Sequence, residues 1–584
     1  MARRAARRRL AGRLAWSVAL AIGAHRACAA QTAGTARRAR TTCDGDTITS
    51  VEVHSHSPSA TNIATDASRT TTRFLGVPYV PTRPAVVAAY LRVTGGDVCT
   101  ELDRSESERL LRTQPFISSA TVRAVPDGPG HVRLLVDVVD ELPLIVGGSI
   151  SRGTVSSLLL GTQNLRGRGV ALSMSVERGF AYRDGFGVSA TKYAMFGRPD
   201  FLSVSGERTP VGDGASLEFA EPFLTDLQVR AFHTHFSIAD DYYGVTPPQG
   251  DVVSLSVRRS AYDVGFAARI GNAATGGPIG LLGVALLGED VSTGAHPVVV
   301  SDSGFIAAPA GALRAFAPLA SARLAGIAGL RALRFTTVRG FDALTATQDM
   351  GIGVQLDVLA GPGLWTSDGS HDLFVSGDLY AGMGDERSFV VARALAEMRD
   401  DRDTQTWTGV VASSRVAWYR KTSDTRTALV SLEYSGVQGL SFPLQLSFRD
   451  ADGGLPGFGG ATWSGAQRVI ARVEQRTVLQ SVSSRADVGF AFFADAGRLW
   501  AGDVPYGVTT DVHASAGISL LAAYPSGGKR LYRLDLAVPV NPQSGGARLE
   551  VRLSSNDRTR LLWVEPRDVA TARTGSIPVS LMKW

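Results

Sequence analysis

Two histidine pairs come closest to a catalytic or metal-binding arrangement in this sequence. His54 and His56 are separated by one residue, and so are His233 and His235. Along a strand this spacing places both imidazoles on one face, which makes half of a zinc site. Neither pair has a third ligand close by in the sequence. We therefore expect histidines that face solvent or a barrel interior, with no metal and no cofactor.

Hydrolase chemistry is not indicated either. The common α/β hydrolases place the nucleophile in a Gly-x-Ser-x-Gly turn between a strand and a helix. The sequence has no such motif in that context, and strands do not alternate with helices along it. Scattered residues such as Asp240 and His235 define no catalytic set. The prediction is a protein that is not an enzyme.

The pattern that the sequence does carry is a regular alternation of charged and apolar side chains. It occurs in residues 548–553 and recurs at 469–476 and 532–536. A period of two places the charges on one face of a strand and the aliphatic side chains on the other. One such strand also fits a soluble sheet with a wet face. Repetition over several strands predicts a β-barrel with a polar lumen and an apolar outer surface.

Composition agrees with many strands joined by turns. The 584 residues include 64 glycines and 20% charged residues, and a hydrophobic content of 44% excludes general disorder. The net charge of +6 includes six arginines among the first 13 residues. Because we expect that segment to be removed, the basic balance predicts no nucleic-acid partner.

The N-terminus predicts export. Residues 1–30 read as a signal peptide, with six arginines, an apolar run at 14–22 and small residues near the end. Residues 31–46 predict a flexible lead. Of the three cysteines, only Cys43 and Cys99 then remain, and an oxidising compartment favours a disulfide between them over two separate thiols. No later stretch has about 18 uninterrupted apolar residues, so no transmembrane helix is expected.

Residues 47–142 predict a small α+β domain in the order strand, helix, helix, strand, strand. Pro84 begins one helix, and Asp103 with Glu106 predicts a capping box for the next. Two strands follow, joined by a Pro-Asp-Gly-Pro-Gly turn at 126–130. This order, with residues 107–117 as the best match, resembles a POTRA domain of the Omp85 superfamily. The alternative is an unrelated α+β domain.

Residues 143–557 resemble an Omp85-type barrel. A first strand at 144–151 is followed by an Asn-x-x-Gly-x-Gly turn at 164–169, and a Glu-Pro-aromatic strand end lies at 221–223. The resemblance implies a mainly β protein: about 16 antiparallel strands in the bacterial outer membrane, with the POTRA domain in the periplasm. The Ala/Leu/Arg-rich stretch at 300–340 is interpreted as strands, because lipid tolerates no irregular interruption.

The loop that carries function in this family is the sixth external one, which folds into the lumen on an Arg-Gly-aromatic tip. Residues 339–341 match in full, whereas Leu455, Pro456, Gly457 and Phe458 have proline in place of the arginine. The family loop is followed by five strands. Five are predicted after Phe458, at 467–478, 485–495, 512–523, 530–538 and 547–554. We therefore predict the tip at 455–458 and interpret Arg339 as a strand residue.

The missing arginine leaves two acids to be neutralised. By resemblance the family arginine meets acidic residues on the next two strands, which correspond here to Glu474 and Asp495. Proline offers neither a charge nor a donor. Either a strand arginine pairs with these acids, or the loop is held by packing alone. The candidate arginines are Arg468, Arg472 and Arg476.

The resemblance also implies a function. Omp85 proteins insert, assemble or translocate proteins: unfolded outer-membrane or secreted clients add a strand to the POTRA sheet edge, here near Val51 or Val122. The barrel opens between its first and last strands. Beside the lipid bilayer and clients, accessory assembly subunits are expected partners. The residues that mark the lateral seam are Gly147, Gly148, Leu549 and Val551.

Two other functions stay open from the residues alone. A two-partner-secretion transporter shares the barrel and the loop, although such proteins usually carry two POTRA domains. A passive pore or structural surface barrel would keep the scaffold without the assembly activity, and Pro456 favours this reading. At the C-terminus we expect residues 558–584 to be an extension; the alternative is that Trp584 ends the last strand.

Overall fold

The computed structural model describes most of the N-terminal domain and most of the barrel. The described residues are 43–58, 73–74, 77–151, 154–180, 183–247, 251–271, 277–449, 453–479, 485–540, 549–557, 565–575 and 577–581. The predicted signal peptide lies outside these residues, as do residues 31–42 of the predicted lead and Trp584.

An α+β domain comes first. Its elements are β1 (Asp44–His56), β2 (Arg73–Phe74), β3 (Val77–Pro78), α1 (Pro84–Ala88), β4 (Val98–Thr100), α2 (Glu101–Arg112), β5 (Ile117–Pro126) and β6 (His131–Asp140). The sheet order is β4-β1-β6-β5, with β1 and β6 parallel and the other pairs antiparallel. The predicted order of strands and helices is therefore present.

Local chemistry sets the helix boundaries. Pro84 occupies the first turn of α1, where a missing N–H has no cost. Thr100 caps α2, since its hydroxyl accepts from the Asp103 N–H at 3.0 Å. The predicted capping box at Asp103 is therefore wrong by three residues, because the helix already begins at Glu101. Among the described residues, no helix is both long and apolar enough to cross a membrane.

A disulfide joins the start of β1 to β4. It links Cys43 and Cys99, which are both buried. Next to it Asp44 faces Thr100 across the two strands. The flexible lead predicted to reach residue 46 is thus too long, because pairing and the disulfide order the chain from Cys43 onward.

A closed antiparallel barrel follows the domain. Its elements in chain order are β7 (Leu144–Ser151), β8 (Thr154–Thr162), β9 (Val170–Phe180), β10 (Arg183–Tyr193), β11 (Phe201–Arg208), β12 (Asp213–Glu221), β13 (Arg230–Val245), β14 (Val253–Ile270), β15 (Ile279–Thr293), β16 (Val298–Ser301), β17 (Gly304–Ala307), β18 (Leu319–Arg339), β19 (Thr347–Thr366), β20 (Asp372–Gly384), β21 (Ser388–Asp401), β22 (Thr406–Ser423), β23 (Arg426–Gln438), β24 (Leu446–Ser447), β25 (Ser464–Gly465), β26 (Gln467–Val478), β27 (Asp487–Trp500), β28 (His513–Ala523), β29 (Arg530–Pro539) and β30 (Glu550–Asp557), with α3 (Arg567–Ala572) after the last strand.

Twenty of these strands, as far as the chain is described, form the barrel wall. The short pairs β16–β17 and β24–β25 are additions to it. The expected number of about 16 is wrong. That number came from resemblance, and the sequence pattern along 180–450 permitted a few strands either way. Strand number depends on tilt and register around the whole closed sheet, which no local residue pattern records. The stretch at 300–340 is strand, as predicted.

The outer surface of the barrel is apolar. On β15 the side chains of Leu282, Val284 and Leu286 are exposed, while Leu281 and Leu287 on the opposite parity are buried. The same alternation places Val473 outward on β26 and its charged neighbours inward. An exposed aliphatic surface around a closed antiparallel sheet defines a transmembrane β-barrel.

The α+β domain is docked on one end of the barrel, here called the domain end; the opposite one is the distal end. Arg112 on α2 makes a two-point ion pair with Asp349 at the start of β19, at 2.7 and 2.9 Å. Arg109 donates to the carbonyl of Leu224, whose side chain joins the domain core. Because the core itself crosses the junction, the domain is held firmly against the barrel mouth.

One buried carboxyl makes the domain sensitive to pH. Asp140, at the end of β6, accepts hydrogen bonds from the Thr82 N–H and hydroxyl at 2.8 and 2.7 Å, and from the Tyr79 hydroxyl. Burial raises the pKa of Asp140 from 3.8 to about 6, against the opposing effect of these donors. The folded domain therefore holds a proton between pH 4 and 6 that the unfolded chain has released.

Domain stability should fall as pH rises through this window, by about 3 kcal/mol in all. Asp140→Asn removes the titrating group and should flatten the profile, as measured by hydrogen exchange of β6 amides in the detergent-solubilised protein at pH 4.5 and 7. Asp127→Asn, at an exposed position of the same domain, should keep the wild-type profile. A steep profile in Asp140→Asn would assign the effect to another group.

Candidate functional site

The barrel closes through a narrow contact between its first and last strands. β7 and β30 face each other over three residue pairs in the described part of the chain: Gly148 with Leu553, Ser149 with Arg552 and Ile150 with Val551. Six pairs join β8 to β9 and eight join β29 to β30. This seam includes Gly148 and Val551, two of the four predicted seam residues; Gly147 is the next residue of β7, and Leu549 directly precedes β30.

Only a few further bonds reinforce the seam. The Val146 N–H donates to the Ser555 hydroxyl at 3.1 Å, and the Tyr532 hydroxyl donates to the Leu144 carbonyl at 2.9 Å. A side chain on Gly148 would come within 2.8 Å of the Ser157 carbonyl, so the close approach of β7 and β8 requires glycine there.

Strand arginines neutralise the acids that the loop tip was expected to meet. Arg472 makes a two-point ion pair with Asp495, its facing residue on β27, at 2.8 and 3.2 Å. Glu474 is buried between Arg476 and Arg533, with the Arg533 contact at 2.9 Å. Strand arginines therefore pair with both acids, Arg472 with Asp495 and Arg476 with Glu474, which was the first of the two predicted alternatives. Arg468 pairs elsewhere, with Asp568.

The predicted tip lies inside the barrel near the last two strands. We call residues 439–449 and 453–466, between β23 and β26, the inward loop. The Gly457 N–H donates to Glu550 at 2.8 Å, and its φ of 86° is one that glycine adopts without strain. A side chain at 457 would approach the main chain of Pro539 to 3.2 Å. The tip thus rests on β29 and β30, beside the seam strand.

Aromatic packing fixes the inward loop. Phe458 is fully buried, with ring centroids 6.0 Å from Phe448, 6.5 Å from Trp463 and 5.7 Å from His513. Leu455 belongs to the same cluster. Five barrel strands follow the loop, as predicted. Packing of Phe458 and the hydrogen bond from Gly457 hold the tip, with a proline at position 456.

The competing Arg-Gly-Phe segment also enters the lumen, from the domain end. Arg339 is the last residue of β18 and exposed, as expected for a strand residue, and Phe341 is buried. Arg476 donates to the Phe341 and Asp342 carbonyls at 3.1 and 2.9 Å and pairs with the Asp342 carboxylate at 3.0 Å. The Arg-Gly-Phe motif at 339–341 therefore lies at a turn that enters the lumen, but at the domain end of the barrel and not at the distal end.

Both histidine pairs lie near carboxylates. His233 is buried and contacts Asp263 at 2.8 Å and Glu218 at 3.2 Å, while His54 and His56 lie near Asp137. In the described part of the chain, no group of three or more His, Cys, Asp or Glu side chains is arranged to hold a metal ion. Both pairs lie on strands, next to carboxylates of a neighbouring strand.

Edge strands of the α+β domain differ in accessibility. β5 pairs only with β6 on one side, but on the other the Val122 N–H donates to Glu108 at 3.1 Å and its carbonyl accepts from Arg104 at 2.6 Å. Side chains of α2 thus cover this edge. Beyond Ile48, β1 pairs with β6 alone among the described strands. Of the two predicted edges, the one at Val51 is the less covered by described residues.

Several partners were not predicted from the sequence. Glu550 accepts from the Gly457 N–H of the loop tip. Arg533 pairs with Glu474, and Asp342 pairs with Arg476. Arg533 and Glu550 occupy charged positions of the alternating pattern, so the sequence predicted that their side chains face the lumen. No pattern indicated which charges would meet across the lumen.

These features define a closed transmembrane β-barrel with an occupied lumen and a docked α+β domain. No protein-family model and no curated protein matches the sequence. Among solved structures, BamA from Haemophilus ducreyi lacking POTRA domains 1–3 is similar at 11% identity over 81% of each chain, with a TM-score of 0.37. CdiB from Acinetobacter baumannii is 9% identical over 88% of this chain and 74% of its own (TM-score 0.41), and CdiB from Escherichia coli 13% identical over 87% and 76% (TM-score 0.39). At these TM-scores the similarities carry no functional argument.

Phe458→Ala should release the inward loop, because loss of a buried phenylalanine side chain costs about 3–5 kcal/mol. The expected result is faster cleavage of residues 439–466 by added protease in the folded, detergent-solubilised barrel. Phe305→Ala, at an exposed phenylalanine of β17 at the same end, is the matched control. Equal cleavage of the two variants would show that the tip is held by something other than Phe458.

Proposed function

We propose that the protein is an outer-membrane barrel of the Omp85 type, which inserts, assembles or translocates unfolded client proteins through the seam between β7 and β30. The α+β domain is assigned as a single POTRA domain in the periplasm. The partners are the lipid bilayer and unfolded outer-membrane or secreted proteins, with accessory assembly subunits. No catalytic step and no cofactor is part of the proposal.

The narrow seam carries this proposal. Each main-chain hydrogen bond contributes roughly 0.5–1.5 kcal/mol net, so separating three facing pairs costs much less than separating the eight between β29 and β30. A strand exposed in this way offers unpaired donors and acceptors that a client strand can bond whatever its side chains. The inward loop, seated on β29 and β30, is placed to sense such an opening.

The open edge of β1 supports client capture by strand addition. From Val51 to His56 this strand has β6 on one side only among the described strands. The domain is docked by Arg109 and Arg112, so a captured strand is held close to the barrel mouth. The covered edge at Val122 makes β5 the less favourable site.

Locking the seam should stop the activity. Cysteines at Ile150 and Val551, which face each other across β7 and β30, should form a disulfide under oxidation. Proteoliposomes with this variant should then lose their acceleration of the folding of a urea-denatured outer-membrane barrel protein, and regain it on reduction.

The matched control keeps the cysteine at Val551 and moves its partner to Leu536, its facing residue on β29. That disulfide crosses a pairing that stays closed, so the activity should persist, and both variants share the native disulfide. Full activity in the oxidised seam variant would refute the lateral opening and leave the passive pore as the better reading.

Client capture should be confined to β1. A photo-crosslinking amino acid at His54 should yield adducts with an unfolded barrel protein, whereas the same group at Arg123 on β5 should not. The positions are matched, because both are exposed and both lie next to Asp137. Adducts at Arg123 alone would place the capture edge on β5.

A further inference from the structure

The chain beyond the last strand returns into the barrel and crosses its lumen. We call residues 565–575 and 577–581 the C-terminal segment. Near its start, Asp568 pairs with Arg468 of β26, beside the inward loop, at 2.6 Å. At its other end, the Leu581 carbonyl accepts from the Phe223 N–H at 2.8 Å, in the turn at the domain end that precedes Leu224. The segment therefore runs from the distal end of the lumen to the domain end.

Charged side chains of the wall bind the main chain of this segment. Arg259 on β14 donates to the carbonyls of Thr571 and Arg573. Glu397 on β21 accepts from the Thr574 N–H at 2.6 Å and lies 3.5 Å from the Arg573 guanidinium. Contacts to main-chain groups recognise a polypeptide as such, whatever its side chains.

A buried carboxylate on the wall depends on these contacts. Glu397 is 1% exposed, and its partners in the C-terminal segment include the Arg573 guanidinium and the N–H groups of Thr574 and Gly575. Leaving a buried charge without such partners is costly. Arg399 is also buried and donates to the Thr574 hydroxyl at 2.8 Å. This part of the wall is therefore complementary to an occupant.

An apolar pocket receives the end of the segment. Ile577 and Leu581 are fully buried, and burial of such a side chain contributes roughly 1.5–3 kcal/mol. Their neighbours in the cluster include Phe223, Leu281, Leu287, Ile327 and Phe374. A side chain on Gly265 would come within 2.5 Å of Ile577 and 3.1 Å of Leu581. The absence of a side chain at 265 makes the room for them.

We propose that this face of the lumen, formed by β14, β15, β18, β20 and β21, is a binding groove for a polypeptide segment. Its resident occupant is the protein's own C-terminal segment, which closes this half of the lumen. The inward loop fills the half along β26 to β30. The inference requires only a membrane barrel, and it goes beyond the proposed client activity without depending on it.

Conductance in planar lipid bilayers tests the groove. A variant that ends at residue 564 should conduct ions several-fold better than the full chain, because one half of the lumen is empty. A synthetic peptide of residues 565–584 should return the conductance of this variant to the full-chain level. The same peptide with Arg573→Glu should not, since it places a second negative charge beside Glu397.

Substitutions in the full chain give an independent result if the shortened chain does not fold. Arg573→Glu should raise conductance, whereas Arg567→Glu, on the exposed side of α3, should leave it at the wild-type value. The proposal is overturned if the folded shortened barrel conducts like the full chain, if the wild-type peptide fails to reduce its conductance, or if the two full-chain variants behave alike. Neither measurement involves a client protein, so failure here is distinct from failure of the proposed function.

Discussion

Lipid hydrocarbon offers no hydrogen-bond partner, so a chain that crosses it as strands must bond every strand along both edges. This requirement closes β7 onto β30, so the first and last strands of the wall meet at that junction. The other neighbouring wall strands face each other over longer stretches of the described chain. Among the described residues this junction has three facing pairs, which makes it the weakest pairing of the wall.

A wall of twenty strands encloses more space than its inward side chains fill, and in the described part of the chain three inward segments occupy this space. Residues 340–346 enter from the domain end, the inward loop from the distal end, and the C-terminal segment passes along the opposite wall. Residues 340–346 and the C-terminal segment are held by ion pairs with residues far away in sequence, whereas the inward loop is held by the packing of Phe458 and the hydrogen bond from Gly457. The pairs are Arg476 with Asp342, Arg573 with Glu397 and Arg468 with Asp568. Buried charges need such partners, so the lumen charges order these segments at the same time as the segments neutralise the charges.

An ion pair between distant parts of the chain also docks the α+β domain at the mouth of the barrel. Arg112 and Asp349 neutralise each other, and Leu224 from a barrel turn completes the domain core. Because α2 faces the barrel and also covers β5 through Glu108 and Arg104, the domain presents β1 as its more open edge. One helix therefore sets both the position of the domain and the edge that it leaves accessible.

The sequence by itself determined what depends on local periodicity and composition. Alternation placed Arg472, Glu474 and Arg476 on the lumen side, turn residues separated the elements of the α+β domain, and five strands after Phe458 identified the inward loop. The tertiary structure alone decided what depends on closure and on contacts across the lumen. It set twenty strands instead of about 16, put Arg533 beside Glu474, and seated Gly457 on Glu550. It also returned the C-terminal segment to the lumen. Periodicity fixes the side of the wall that a residue faces, but its partner is fixed only when a closed sheet brings distant strands around one interior.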